Sequence, residues 1–259
     1  DSKGDGMGTI EDYARAVADF TRAIEAPKPV PCGLSMGGAI TQQLLLDHPD
    51  ACRAGILIGT GARLRVQPLI LKTIQEDFSS YIDSFLAFAA SEKTDPERLR
   101  PMAEATARGN PQVALGDFKA CDAFDVMERL PSIEVPVLVI TSEEDKLTPP
   151  KYGIFLEEKI KTASRVHIQD AGHLVPAEKP DEVNQAILDF LKGRSRVALI
   201  GGGVLGLEIA RALTVRGAAV TVVEFFDRLL PRQLDAAGAA VLRGQVEKLG
   251  IEVRLGATT

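Results

Sequence analysis

Nine residues, Val30 through Gly38 (VPCGLSMGG), constrain this chain more than any others. An apolar run ends at Gly33, Ser35 follows between glycines, and a helix-forming run starts at Met36. The stretch is therefore expected to be a strand, a sharp turn and a helix. The spacing Gly33-x-Ser35-x-Gly37 is that of a nucleophile elbow, in which the serine backbone is held in a sparsely populated conformation. Glycines two before and two after the serine are expected to remove side chains that would collide. The first N–H groups of the helix, that of Met36 above all, then point at the place where negative charge would develop on a reacting oxygen. An incidental serine in a glycine-rich turn would leave the same five letters, so the partners downstream decide.

Around the elbow the chain alternates between strand and helix, which argues an α/β fold on a parallel sheet. Ile10, Tyr13, Ala14, Val17, Phe20, Thr21 and Ile24 line one face of a helix over residues 9–26, with Thr9 and Asp12 as a capping box. Strands are expected at 53–59, at 135–141 (VPVLVIT) and at 163–169, and the spacing of Val183, Ile187, Leu188 and Leu191 predicts a closing helix. Between the second and third strands, residues 66–130 read as a helical insertion. There Ile70, Ile74, Phe78, Tyr81, Ile82, Phe85 and Phe88 recur at helical spacing, and its place between chemistry-bearing neighbours suits a lid. Pro31 fits an edge strand better than a central one, because it offers no N–H. His48, before Pro49 at a helix end, is expected to be a cap residue.

Ser35, Asp145 and His173 follow one another in the order nucleophile, acid, base, each just past the C-terminal end of an expected strand. A serine hydroxyl is a weak nucleophile, so His173 would take its proton and later return it to the leaving group. Asp145 would hold the imidazole in the useful tautomer. Glu143, Glu144 and Asp170 are rivals for the acid. The motifs Gly33-Leu-Ser-Met-Gly-Gly38, Glu144-Asp145 followed by Thr148-Pro149-Pro150, and Ala171-Gly172-His173 followed by Glu178 and Pro180 make residues 1–192 resemble the α/β-hydrolase superfamily. The likeness is to its cap-bearing branch of carboxylesterases and 3-oxoadipate enol-lactonase-like enzymes. The resemblance implies an α/β-hydrolase sheet with a helical cap at about 66–130, and Asp145 as the acid. It implies hydrolysis of a small-molecule carboxylic ester or lactone through an acyl-enzyme, with an apolar acyl pocket shaped by residues 78–88 and neither metal nor cofactor. Two departures stand out. Ser142 replaces a common glycine, and the elbow comes earlier in the chain than in the family. Measured against the family, the strand beside the elbow strand and one oxyanion donor are then missing, which would impair turnover and leave a sheet edge open to homo-oligomerisation.

From residue 194 the pattern changes. Residues 194–259 carry a net charge of +3 and the remainder −9, a hint of two modules. Gly201, Gly203 and Gly206 form G-x-G-x-x-G between a strand and a helix, and Glu224 ends the next strand. This is the dinucleotide fingerprint: glycines for a pyrophosphate, a helix N-terminus for its charge, an acid for the ribose hydroxyls. The segment resembles the NAD-binding domain of FAD-dependent pyridine nucleotide oxidoreductases, which implies a partial Rossmann unit with NAD as its ligand. No FAD module or redox cysteine pair is visible to accept a hydride. The expected organisation is thus 1–193 and 194–259, joined so abruptly as to suggest a chimera. The strands at 197–200, 220–224 and 251–255 are candidates to complete the first sheet beside residues 30–32. The alternative function is an NAD-binding fragment fused to an inactive hydrolase scaffold, or a fusion with neither activity.

Composition excludes several classes. A net charge of −6 argues against a nucleic-acid partner. No apolar run nears the roughly 18 residues of a membrane span, and the first residues have no signal-peptide pattern. Cys32, Cys52 and Cys121 lack metal-ligand spacing, which favours reduced thiols in the cytoplasm, with Cys32 as a small core residue.

Overall fold

The apolar runs become seven short strands among the described residues, and these form two separate parallel sheets. The computed structural model describes residues 6–26, 28–191, 196–215, 218–231 and 233–256. In chain order the first half contains α1 (Ile10–Ala23), β1 (Cys32–Leu34), α2 (Met36–Asp47) and β2 (Gly55–Ile58). Next come α3 (Pro68–Glu76), α4 (Phe78–Ala89), α5 (Pro96–Ala107), α6 (Pro111–Ala123) and a 3₁₀ turn at Met127–Ser132. It ends with β3 (Val137–Ser142), α7 (Pro150–Lys159), β4 (Ala163–Ile168), α8 (Val175–Glu178) and α9 (Pro180–Leu191). The second half is β5 (Arg196–Ile200), α10 (Val204–Val215), β6 (Ala219–Val223), α11 (Ala236–Lys248) and β7 (Glu252–Arg254). The expected joint between the halves, 192–195, lies outside the described residues.

Local chemistry accounts for the ends of these elements. Thr9 caps α1 through its side-chain oxygen, which accepts the Asp12 N–H at 3.1 Å. Three helices of the 66–130 insertion, α3, α5 and α6, start on a proline, where the missing N–H costs nothing. His48 closes α2 as a cap, its own N–H donating to Leu44 O.

The first sheet runs β1-β2-β3-β4, all parallel, with β2 and β3 buried along their whole lengths. Its parallel register brings Leu34, Ile58, Ile140 and Val166 alongside one another, so the loops carrying Ser35, Gly59, Asp145 and His173 emerge at one end. β1 is an edge: among the described residues no strand pairs with its other side, which suits Pro31. Cys32 is exposed rather than part of the core, because on this three-residue edge strand it is Gly33 that faces inward.

The expectation that the later strands complete the first sheet fails. β5, β6 and β7 pair only with each other. The two halves meet instead through side chains. One continuous apolar core takes Ile56, Ile140, Val183, Ile187 and Leu191 from the first half and Val197, Ile209, Leu213 and Val222 from the second. Helix α9 touches β3 and β4 on one side and α10 on the other. In the 66–130 insertion, Ile74, Tyr81, Ile82 and Leu115 form a small core of their own, with Tyr81 stacked on Phe78, tilted against Phe85 and edge-on to Phe118. Phe88 departs from that face. It is 45% exposed at the end of α4, with Lys146 Nζ 5.9 Å from its ring centroid.

Candidate active site

Ser35 sits at the tip between β1 and α2 with φ 53° and ψ −114°. A non-glycine residue there is strained by about 1–3 kcal/mol, so its surroundings must hold it. They do so from three sides. The Ser35 N–H donates to Ile58 O at 2.9 Å, the Thr60 hydroxyl donates to Ser35 O at 2.8 Å, and Gln42 Nε2 donates to both Gly38 O and Gly61 O. A Cβ on Gly33 would lie 2.0 Å from Gly37 O, and one on Gly38 would lie 2.5 Å from the Thr60 methyl. Gly37 is different. A Cβ there would meet nothing within 4 Å, so the expected collision two residues after the serine does not occur. The turn is closed from the strand side. Met36 is the first residue of α2, where a helix leaves its N–H without an internal acceptor.

Asp145 and His173 are in contact. His173 Nδ1 lies 2.9 Å from Asp145 Oδ2, and the two residues are 2% and 4% exposed respectively. The carboxylate is fixed from its own loop: Oδ1 accepts the Leu147 and Thr148 N–H groups at 2.9 and 2.7 Å, and Oδ2 accepts the Thr148 hydroxyl at 2.8 Å. With a carboxylate on Nδ1, that nitrogen carries the ring proton and Nε2 keeps its lone pair. Gly59, at φ 47°, is where the three candidate loops converge. A Cβ placed on it would lie 3.3 Å from Asp145 Oδ2, 3.4 Å from His173 Nδ1 and 3.3 Å from the side chain of Leu34, the residue before Ser35.

The rival acids are committed elsewhere. Glu144 accepts the Ser91 hydroxyl at 2.7 Å, Glu143 accepts the Asp170 N–H at 3.2 Å, and Asp170 pairs with Lys93. The hydrogen bond from Lys93 pulls the exposed Asp170 carboxyl below its ordinary range, and the same contact raises the ammonium. Four further perturbed groups lie apart from these loops. Burial pushes the thiols of Cys52 and Cys121 up to about 11 and about 12, which leaves them inert as nucleophiles. Burial also raises Asp117, which accepts from Tyr13 at 2.5 Å and helps hold that phenol near 12.

Several residues at this site escape motif reasoning. Thr148 is visible within Thr-Pro-Pro, and Glu178 in the Glu-x-Pro that follows the histidine, but neither motif assigns them a partner. Gly59 and Thr60 carry no pattern of their own. Ser142, the departure from glycine, donates its hydroxyl to Gly172 O at 2.6 Å and so pins the histidine loop.

The second glycine turn is also assembled. Gly201 adopts φ 108°, and a Cβ on Gly206 would lie 2.1 Å from Gly201 O, so the start of α10 presses on the turn. Gly203 faces open space: a Cβ on it would meet no atom within 4 Å, a cradle that fits a closely approaching pyrophosphate. Glu224 is 6% exposed and its carboxylate accepts the N–H groups of Gly202 and Phe226 at 2.5 and 3.1 Å. It secures the turn, and each oxygen keeps a second lone pair for a ribose hydroxyl. The glycine turn thus leaves room for NAD at Gly203, and Glu224 is held by the N–H groups of the turn itself.

The sequence profile described as Alpha/beta hydrolase family matches residues 2–186, and that described as Pyridine nucleotide-disulphide oxidoreductase matches residues 196–259. The chain is similar to a pimeloyl-[acyl-carrier protein] methyl ester esterase of Neisseria meningitidis, at 26% identity over 71% of this chain and 77% of that one. It is similar to a putative non-heme bromoperoxidase of Mycobacterium tuberculosis, at 30% identity over 67% and 73%. Among solved structures, the enol-lactonase of Burkholderia xenovorans superposes with a TM-score of 0.66 at 26% identity, over 71% of this chain and 73% of the other. No helix among the described residues is long and apolar enough to cross a membrane.

Proposed function

This chain belongs to the Alpha/beta hydrolase family, and from that premise we propose that it hydrolyses a small carboxylic ester or lactone through an acyl-enzyme on Ser35. The observation that carries the proposal is the buried Asp145–His173 contact beside the strained elbow. In this reaction His173 Nε2 takes the Ser35 proton as the hydroxyl oxygen attacks the carbonyl carbon. The Met36 N–H donates to the oxyanion that forms, and the alcohol leaves with the proton from His173. Water, deprotonated by the same imidazole, then releases the acid. Asp145 stays ionised throughout and stabilises the imidazolium. Hydrolases of this family need no cofactor for such chemistry, and the similarity to an esterase and an enol-lactonase supports both substrate classes. The aromatic cluster over Phe78–Phe85, together with the exposed Phe88 at the end of the same helix, is the proposed wall for an acyl chain. Three unpaired thiols suit a reducing compartment, the cytoplasm.

The test is hydrolysis of short-chain p-nitrophenyl esters by the purified chain and by Ser35→Ala. Turnover should fall by at least about 10³-fold in the variant. Equal rates in the two proteins would sink the proposal. They would favour the second reading, supported by the open space at Gly203, in which NAD binding by the 196–259 unit is the function and the hydrolase half is scaffold.

A further inference from the structure

The segment that leaves α4 and enters α5, residues 89–98, is fastened to the loop of His173 by a set of contacts that the proposed reaction does not require. The His173 N–H donates to Ala89 O at 2.6 Å, the last residue of α4. Gly172 lets that segment pass: a Cβ there would lie 2.4 Å from Ala89 O and 2.7 Å from Ser91 N, both backbone atoms. At the centre is Glu178, 3% exposed. Its Oε2 accepts three donors, the Gly172 N–H at 3.0 Å, the Ser91 N–H at 2.8 Å and the Thr94 hydroxyl at 2.7 Å. Its backbone oxygen accepts Arg98 Nη1 at 2.9 Å. Two of the three side-chain contacts come from the helical insertion and one from the residue before His173. Ala89, Leu99 and Leu174 pack beneath them, with Leu147 of the Asp145 loop against the same cluster.

A buried carboxylate is an expensive way to join two loops, and here Oε1 has no hydrogen-bond partner among the described residues. An apolar side chain would pack the seam at less cost, but it would not fix the distance between the segments. Three donors converging on one oxygen do fix it, since a shift of either loop breaks bonds to a buried charge. We infer that Glu178 is a positioning residue, one that ties the placement of the helical insertion to the orientation of the His173 imidazole. Freeing the segment 89–98 would then let the ring turn away from Ser35 and Asp145, while the aromatic wall proposed for the acyl chain is held by its own small core. This inference rests on His173 being the general base.

The experiment compares Glu178→Leu, Glu178→Gln and Thr94→Val by ester kinetics and by proton NMR of the far-downfield His173 Nδ1 proton. The chain has three histidines, so His48→Gln and His167→Gln variants assign that signal. Glu178→Leu should lower kcat by about 10- to 100-fold with KM within about three-fold, and should weaken or broaden the resonance, as expected for a ring misplaced by about 1 Å. Glu178→Gln, which keeps an acceptor oxygen, should recover kcat to within about five-fold of the parent. Thr94→Val removes one donor from the insertion side and should lie between them; it carries the test if Glu178→Leu does not fold. A folded Glu178→Leu, or Thr94→Val, with parental kcat and an unchanged resonance would overturn the inference. If the parent itself turns over no ester, the function proposal fails separately, and the resonance in these variants still decides whether Glu178 positions His173.

Discussion

Thr148 Oγ1 lies 2.8 Å from Asp145 Oδ2 and 3.2 Å from His173 Nδ1, so one hydroxyl touches both members of the proposed acid–base pair. Its proton goes to the carboxylate, the better acceptor, and Oδ2 then carries two donors. Losing a hydrogen bond to a buried charge costs about 1.5–3 kcal/mol, so Thr148→Val should lower kcat by about ten-fold while KM for a p-nitrophenyl ester stays near the parent's. An unchanged kcat would show that the two backbone N–H groups on Oδ1 suffice to hold Asp145. The strand-end positions of Ser35, Asp145 and His173 are legible in the sequence because order and hydrophobic period are chain properties. The direction in which Thr148 points is not, since it depends on how the loop folds back before α7. Cys32 departs from its expected core position for a related reason. An apolar neighbourhood in sequence says nothing about which face of an edge strand has a covering layer.

The elbow shows the same division for a whole element. Strand, turn and helix are all legible, as is the helical character of the 66–130 insertion, because hydrophobic period and glycine placement are local. Which glycines matter is not, since contact across the turn decides it. Gly33 packs on the Gly37 carbonyl, whereas Gly37 faces open space. Gly33→Ala sets a Cβ against backbone that cannot yield and should destabilise by more than about 3 kcal/mol or abolish folding. Gly37→Ala lies in the first turn of α2 and should raise stability, by up to about 1 kcal/mol, through helix propensity. Thermal unfolding of both variants checks the pair. Equal destabilisation would mean that the turn needs flexibility at both glycines rather than clearance at one. The second glycine turn obeys the same logic, with Gly206 pressed against Gly201 and Gly203 left open.

At the scale of the molecule, sequence period locates both sheets but not their relation, because pairing between distant strands is decided by faces that only packing brings together. The two sheets keep separate hydrogen-bond ladders and share one apolar core through α9 and α10. A shared core couples stabilities: exposing it from either side opens apolar surface on the other, so the halves should unfold together. The chain offers a convenient probe. It has no tryptophan, and its three tyrosines, Tyr13, Tyr81 and Tyr152, all lie in the first half, so tyrosine fluorescence reports that half alone while far-UV circular dichroism reports both. The parent should show coincident transitions by the two signals. Leu213 on α10 is 1% exposed in the shared core. Truncating such a leucine costs about 2–5 kcal/mol, so Leu213→Ala should lower the midpoint seen by tyrosine fluorescence by about 5 °C or more, although no tyrosine is near it in sequence. A tyrosine transition that ignores Leu213→Ala, with a circular dichroism curve that splits in two, would mean that the hydrolase half carries its own stability and that the 196–256 unit merely rests against it.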